Sequence, residues 1–123
     1  MKTAIIILSD PKNGEDALGR LFNGLAAAYD YREFGDEVTI LFQGAGTRWI
    51  AELTKAEHPA NKLFNELKDV VAGVSCGCAD VFGATADVKK SGFDLISENA
   101  LPGTSGLPSL RKLGADGFTL LTF

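Results

Sequence analysis

The chain contains two cysteines, one residue apart, in Cys76-Gly77-Cys78. Ala72-Gly73-Val74-Ser75 before them reads as a short strand. Ala79 to Lys90 after them reads as a helix with Val81, Phe82, Thr85 and Val88 inward. The thiols therefore fall where a strand hands over to a helix. A thiol at the start of a helix meets unpaired backbone N–H groups and the positive end of the dipole, and both favour the nucleophilic thiolate. Gly77 leaves room for a substrate to approach the backbone there. The plain alternative is packing, since free cysteine is among the most buried residue types. Two thiols flanking a glycine at such a junction favour chemistry. A zinc site would need about four ligands, and the chain offers one histidine, His58, which precedes Pro59 and reads as a helix cap. No metal and no cofactor is expected. A Cys-x-Cys disulfide would close a small strained ring and be easily reduced, which suits a transient state.

Positioning such a junction requires a sheet. Ala4 to Leu8 and Val38 to Phe42 are continuous apolar runs, the pattern of strands buried on both faces in parallel sheets. Between them Leu18, Leu21, Phe22, Leu25 and Tyr29 recur at helical spacing, with Asn13 as a cap, Glu15 and Asp16 in the first turn, and Gly35 as the stop. Trp49, Ile50 and Leu53 suggest a short helix. Leu63, Phe64, Leu67 and Val71 suggest another, after His58-Pro59. Phe93 to Ile96 reads as a fourth strand and Ser97 to Gly106 as a loop. Leu107, Leu110 and Leu113 share a helical face, with Arg111 and Lys112 in its last turn and Gly114 ending it. Phe118 to Phe123 completes a fifth strand. Strands alternating with helices predict an α/β fold, a parallel sheet covered on both faces, in a single domain over residues 1–123.

Open parallel sheets bind ligands beyond the carboxyl ends of their strands. Those ends carry Ser9 and Asp10, then Gln43, Gly44 and Gly46, then Ser75 and Gly77 beside the cysteines, then Ser97 to Ser105. These residues are the candidate binding rim around Cys76 and Cys78. Gly44-Ala45-Gly46 has part of a dinucleotide fingerprint, but Trp49 stands at the third glycine position and the segment follows the second strand. It reads as rim. Asp10 could touch a ligand, but it is better suited to capping or forming a turn.

Acidic residues outnumber basic ones, 16 to 12, and the net charge is -4. Nucleic-acid binders carry basic stripes because phosphate neutralisation supplies their affinity, so nucleic acid is not an expected partner. No apolar run approaches the ~20 residues that span a bilayer. The apolar start stops at Ser9-Asp10 with no small-residue cleavage site, so a buried strand and a cytoplasmic location, with reduced thiols, are expected. Trp49, Phe42 and Phe123 suggest apolar surface that a second copy could cover.

Several segments together resemble the DsrE/DsrF-like family, which includes the sulfur-relay proteins DsrE and TusD and the YchN-like proteins. They are Ile5-Ile6-Ile7-Leu8-Ser9-Asp10, Val38 to Thr47, Val71 to Gly83 across the cysteines, and Gly117 to Phe123. The resemblance spans essentially the whole chain and rests on order and spacing. It implies a three-layer α/β/α fold with a five-stranded parallel sheet and assembly as homotrimers or hexamers. It further implies a cysteine persulfide that relays sulfane sulfur between donor and acceptor proteins. Cys78 matches the family position best. Ser75 stands where several members carry a second cysteine, and Cys76 departs from that pattern. A sulfur carrier with Cys78 as its reactive sulfur, and Cys76 competing or resolving, is the leading expectation. A non-enzymatic anion-binding or small-molecule-binding module and a thiol redox sensor are the alternatives.

Overall fold

A computed structural model describes all residues 1–123. The strands are β1 (Lys2–Ile7), β2 (Glu37–Phe42), β3 (Val71–Ser75), β4 (Leu95–Ile96) and β5 (Thr119–Thr122). The helices are α1 (Gly14–Glu33), α2 (Trp49–Leu53), α3 (Asn61–Glu66), α4 (Cys76–Val81), α5 (Thr85–Ser91) and α6 (Leu110–Ala115). The five strands form one sheet in the order β4-β3-β2-β1-β5, and every pairing is parallel.

That order explains how the helices are distributed. The chain steps from β1 through β2 and β3 to β4 in one direction, then returns past β1 to place β5 at the far edge. Right-handed crossovers put all helices of one direction on one face and the returning helix on the other. Accordingly α1 to α5 pack against the face of Ile5, Ile7, Ile40, Phe42 and Val74, a cluster of 19 buried residues. Only α6 and Phe118 cover the opposite face, where the buried cluster is three residues, Ala4, Ile6 and Leu41. The three-layer α/β/α architecture is therefore lopsided.

Several local expectations shift. The buried face of α1 is Ala17, Leu21, Gly24, Leu25 and Ala28, so Tyr29 is exposed and Leu18 and Phe22 are half-buried. Gly24 matters because a Cβ there would lie 2.6 Å from Ile7 Cδ1. Asn13 makes no side-chain cap to α1; Asp10 instead accepts from the Lys12 N–H and caps a short 3-10 turn. His58 does not open α3. Its Nδ1 accepts from the Ala60 N–H, and the helix begins at Asn61. The expected helix over 79–90 is two helices, broken at Gly83, whose φ of 72° no ordinary side chain favours. Val81 consequently points to solvent. Leu107 leaves the last helix to form an antiparallel bridge with Asn99. Trp49 and Phe42 are core residues, 2% and 0% exposed, and supply no surface for a partner.

Candidate functional site

Ser75 ends β3 and caps α4, its hydroxyl accepting from the Cys78 N–H at 3.3 Å. Cys76 and Cys78 thus lie within the first turn of α4, not in a loop before it. Helix residues two apart do not face each other. The two thiols leave the helix on different sides, and closing a disulfide between them requires unwinding that turn. The geometry argues against a resolving or sensing pair.

Two amides of this turn are committed. The Cys78 N–H goes to Ser75, and the Gly77 N–H donates to the Gly106 carbonyl at 2.7 Å. Gly77 is not a substrate opening either. A Cβ there would sit 2.8 Å from Leu107 Cδ1 and 3.0 Å from the Gly106 oxygen. The glycine exists so that residues 104–107 can lie against α4. Asp80 secures the same segment, accepting from Ser105 and from Thr85. These two hydrogen bonds, Ser105 first, hold the Asp80 carboxyl below its ordinary value of 3.8.

What opens beside Cys78 is a cavity of about 560 Å³ lined by Leu8, Gln43, Gly44, Cys78, Asn99, Leu107, Pro108, Ser109, Leu110 and Arg111. Its place follows from the topology. The segment after β3 turns to one face of the sheet toward α4, and the segment after β4 turns to the other toward α6. Neighbouring strands whose continuations part in this way leave a crevice at their carboxyl ends. Cys78 lies on one wall and 107–111 on the other, with Gln43 from the end of β2 beside them. Cys78 is half-buried, and Cys76, also half-buried, does not line this cavity.

The remaining rim residues separate into structural and cavity groups. Gln43 and Gly44 line the cavity, whereas Gly46 does not: its missing Cβ would come 2.2 Å from the Ile7 oxygen, so it permits close packing on β1. Asp10 pairs with Arg48 at 2.9 Å, and Arg48 also donates to the Phe82 carbonyl and stacks on its ring. Ser9 accepts from the Trp49 indole through its carbonyl at 2.8 Å. Ser9 and Asp10 therefore tie the first strand end to the second crossover, and neither lines the Cys78 cavity. No group of three or more His, Cys, Asp or Glu stands together as a metal site. Asn99 falls within the expected Ser97 to Ser105 rim, whereas Arg111 and Ser109 are cavity residues that the sequence did not point to. Arg111 reads in sequence as a charge complementing a helix end, and only the fold brings it opposite Cys78.

The DsrE/DsrF-like family model matches residues 1–123. The chain belongs to this family. Among curated proteins it is similar to the uncharacterized protein MJ0733 of Methanocaldococcus jannaschii, with 29% identity over 121 residues, covering 98% of this chain and 94% of that one. No solved structure matches significantly. No helix is long and apolar enough to cross a membrane. In this DsrE/DsrF-like chain Cys78, not Cys76, is the cysteine that lines the crevice.

Proposed function

We propose that this protein carries sulfane sulfur as a persulfide on Cys78 and passes it to a partner. The observation that carries the reading is the half-buried Cys78 lining a 560 Å³ cavity at the carboxyl edge of a parallel sheet in a DsrE/DsrF-like chain. In loading, the Cys78 thiolate attacks the terminal sulfur of a donor persulfide. A Cys78 S–S bond forms, the donor S–S bond breaks, and the donor leaves as its thiolate. Release reverses these roles with an acceptor thiol. Leu8 and Leu110, 45% and 37% exposed at the cavity mouth, suit contact with a partner that presents its own cysteine. Reduced thiols, as in a cytoplasm, are the setting this chemistry needs.

We further propose self-association through the thinly covered sheet face. Leu120 pairs with Ala4 in register, so it lies on the α6 side, and it is exposed. A trimer or hexamer would cover it.

The test of the carrier reading is exposure of the reduced protein to inorganic polysulfide, followed by intact mass. The wild type and Cys76→Ser gain one sulfur atom, and Cys78→Ser gains none. Loading of Cys78→Ser to the wild-type level refutes the assignment.

A further inference from the structure

The walls of the Cys78 cavity have an uneven chemistry. The chain carries 16 acidic side chains against 12 basic, yet no carboxylate lines the cavity and Arg111 does. Arg111 pairs with no carboxylate, although its neighbour Lys112 pairs with Glu98 at 3.5 Å. Glu98 borders a different cavity, with Leu113 and Ile96.

Gln43 supplies an independent sign. It continues β2 in extended conformation, φ -133° and ψ 164°, one residue beyond Phe42. Strand alternation turns it to the face opposite Phe42, toward the segment leading into α6. It is only 6% exposed and lines the cavity, and its side-chain amide makes no hydrogen bond within the protein. Its amide atoms are not sealed from the cavity, so this amide is a free donor presented to whatever occupies that space. Ser109 adds a donor. Its oxygen accepts from the Lys112 N–H at 3.2 Å, which leaves the hydroxyl proton free to donate. A guanidinium, an amide and a hydroxyl proton facing one space match an oxyanion; the carboxylate nearest them, Glu98, is held outside the lining by the Ser109 N–H and Lys112.

We propose that Gln43, Ser109 and Arg111 form an oxyanion subsite beside Cys78, so that the small-molecule donor is a sulfane-sulfur compound with a sulfonate head, of the thiosulfate class. The sulfur chemistry rests on the carrier reading above; the anion binding does not. In the step, the Cys78 thiolate attacks the outer sulfur of thiosulfate. The new S–S bond forms to Cys78, the S–S bond of thiosulfate breaks, and the electron pair leaves with sulfite. No oxidant or reductant is consumed. Arg111 and the Gln43 amide would hold the departing sulfite oxygens.

The binding test uses Cys78→Ser protein, which cannot react, titrated calorimetrically with thiosulfate at fixed ionic strength. Saturable binding that sulfate displaces is expected. Arg111→Met weakens it about tenfold or more, the loss usual for a charge-assisted contact. The isosteric Gln43→Glu, which brings a negative charge to the subsite, abolishes it. Absence of saturable binding, or equal binding by Arg111→Met, overturns the subsite. Phosphate binding more tightly than thiosulfate overturns the ligand class. The two readings fail separately. Arg111-dependent thiosulfate binding in a protein whose Cys78 takes sulfur from neither thiosulfate nor polysulfide sinks the carrier and leaves the subsite. Loading by polysulfide without anion binding does the reverse.

Discussion

Gly77→Ala tests whether the cavity wall is held against α4 as described. The substitution adds one methyl in a helix, at a backbone conformation any residue adopts, so conformational strain plays no part. The new Cβ meets Leu107 Cδ1 at 2.8 Å, Gly106 O at 3.0 Å and Thr104 Cβ at 3.4 Å. The leucine tip can rotate away; the carbonyl is backbone and can move only with the segment. Overpacking of this kind costs about 1–3 kcal/mol. Alanine favours a helix over glycine by about 1 kcal/mol, which partly offsets it. Gly19→Ala in α1 isolates the steric part, because nothing lies within 4 Å of that Cβ. The propensity terms roughly cancel between the two variants, leaving Gly77→Ala less stable than Gly19→Ala by about 1–3 kcal/mol. Urea unfolding by linear extrapolation measures the difference. Moving residues 104–107 also opens one wall of the cavity, so Cys78 should react faster with a bulky alkylating reagent. Gly77→Ala as stable as Gly19→Ala, with unchanged alkylation, refutes the wall.

Three further outcomes follow from other contacts. Asp80 has its carboxyl held low by Ser105 and Thr85, so its contribution is present above pH 3.8 and lost as pH falls through its folded-state value; Asp80→Asn should flatten the acid limb of a stability-against-pH curve, and an unchanged limb contradicts the role. Arg48→Met removes the Asp10 pair and the bond to the Phe82 carbonyl, and should cost about 2 kcal/mol in urea unfolding while leaving sulfur loading at Cys78 intact. Lost loading in a folded Arg48→Met protein would return Asp10 to the site. Leu120→Glu places a charge on the open sheet face and should lower the mass seen by light scattering to that of one chain; an unchanged mass moves the interface elsewhere.

The parts of the fold visible in the sequence are those governed by local pattern. The apolar runs at Ile5 and Ile40 and the alternation of strands with helices carry the sheet and its parallel sense. The cysteine junction lies where β3 meets the next helix, offset only by the thiols being inside α4. What local pattern does not carry is decided by packing at long range. Gly83 divides an apparently continuous helix at a positive φ that composition does not reveal. Gly106, with φ 99° and lying against Ser97, turns Leu107 out of a helical stripe into its bridge with Asn99. Gly46 reads as binding rim and Gly77 as room for a substrate, and both serve close packing of the chain on itself instead.

The same topology links the site to the open sheet face. Because only the return from β4 to β5 uses the α6 side, one six-residue helix both borders the Cys78 cavity, through Leu110 and Arg111, and covers the sheet, through Leu113. A second copy docking on that face would press on the element that carries Arg111. Assembly and ligand binding are then coupled through α6, and by linkage each must shift the other equally. Saturating thiosulfate should therefore change the dissociation constant of the oligomer by the factor by which assembly changes thiosulfate affinity, raised to the number of sites in the assembly. Light scattering across a dilution series, with and without thiosulfate, on Cys78→Ser protein measures the first factor. Titration of Leu120→Glu in the same background measures the second. A ligand affinity identical in assembled and dissociated protein shows that α6 is not shared between the two surfaces.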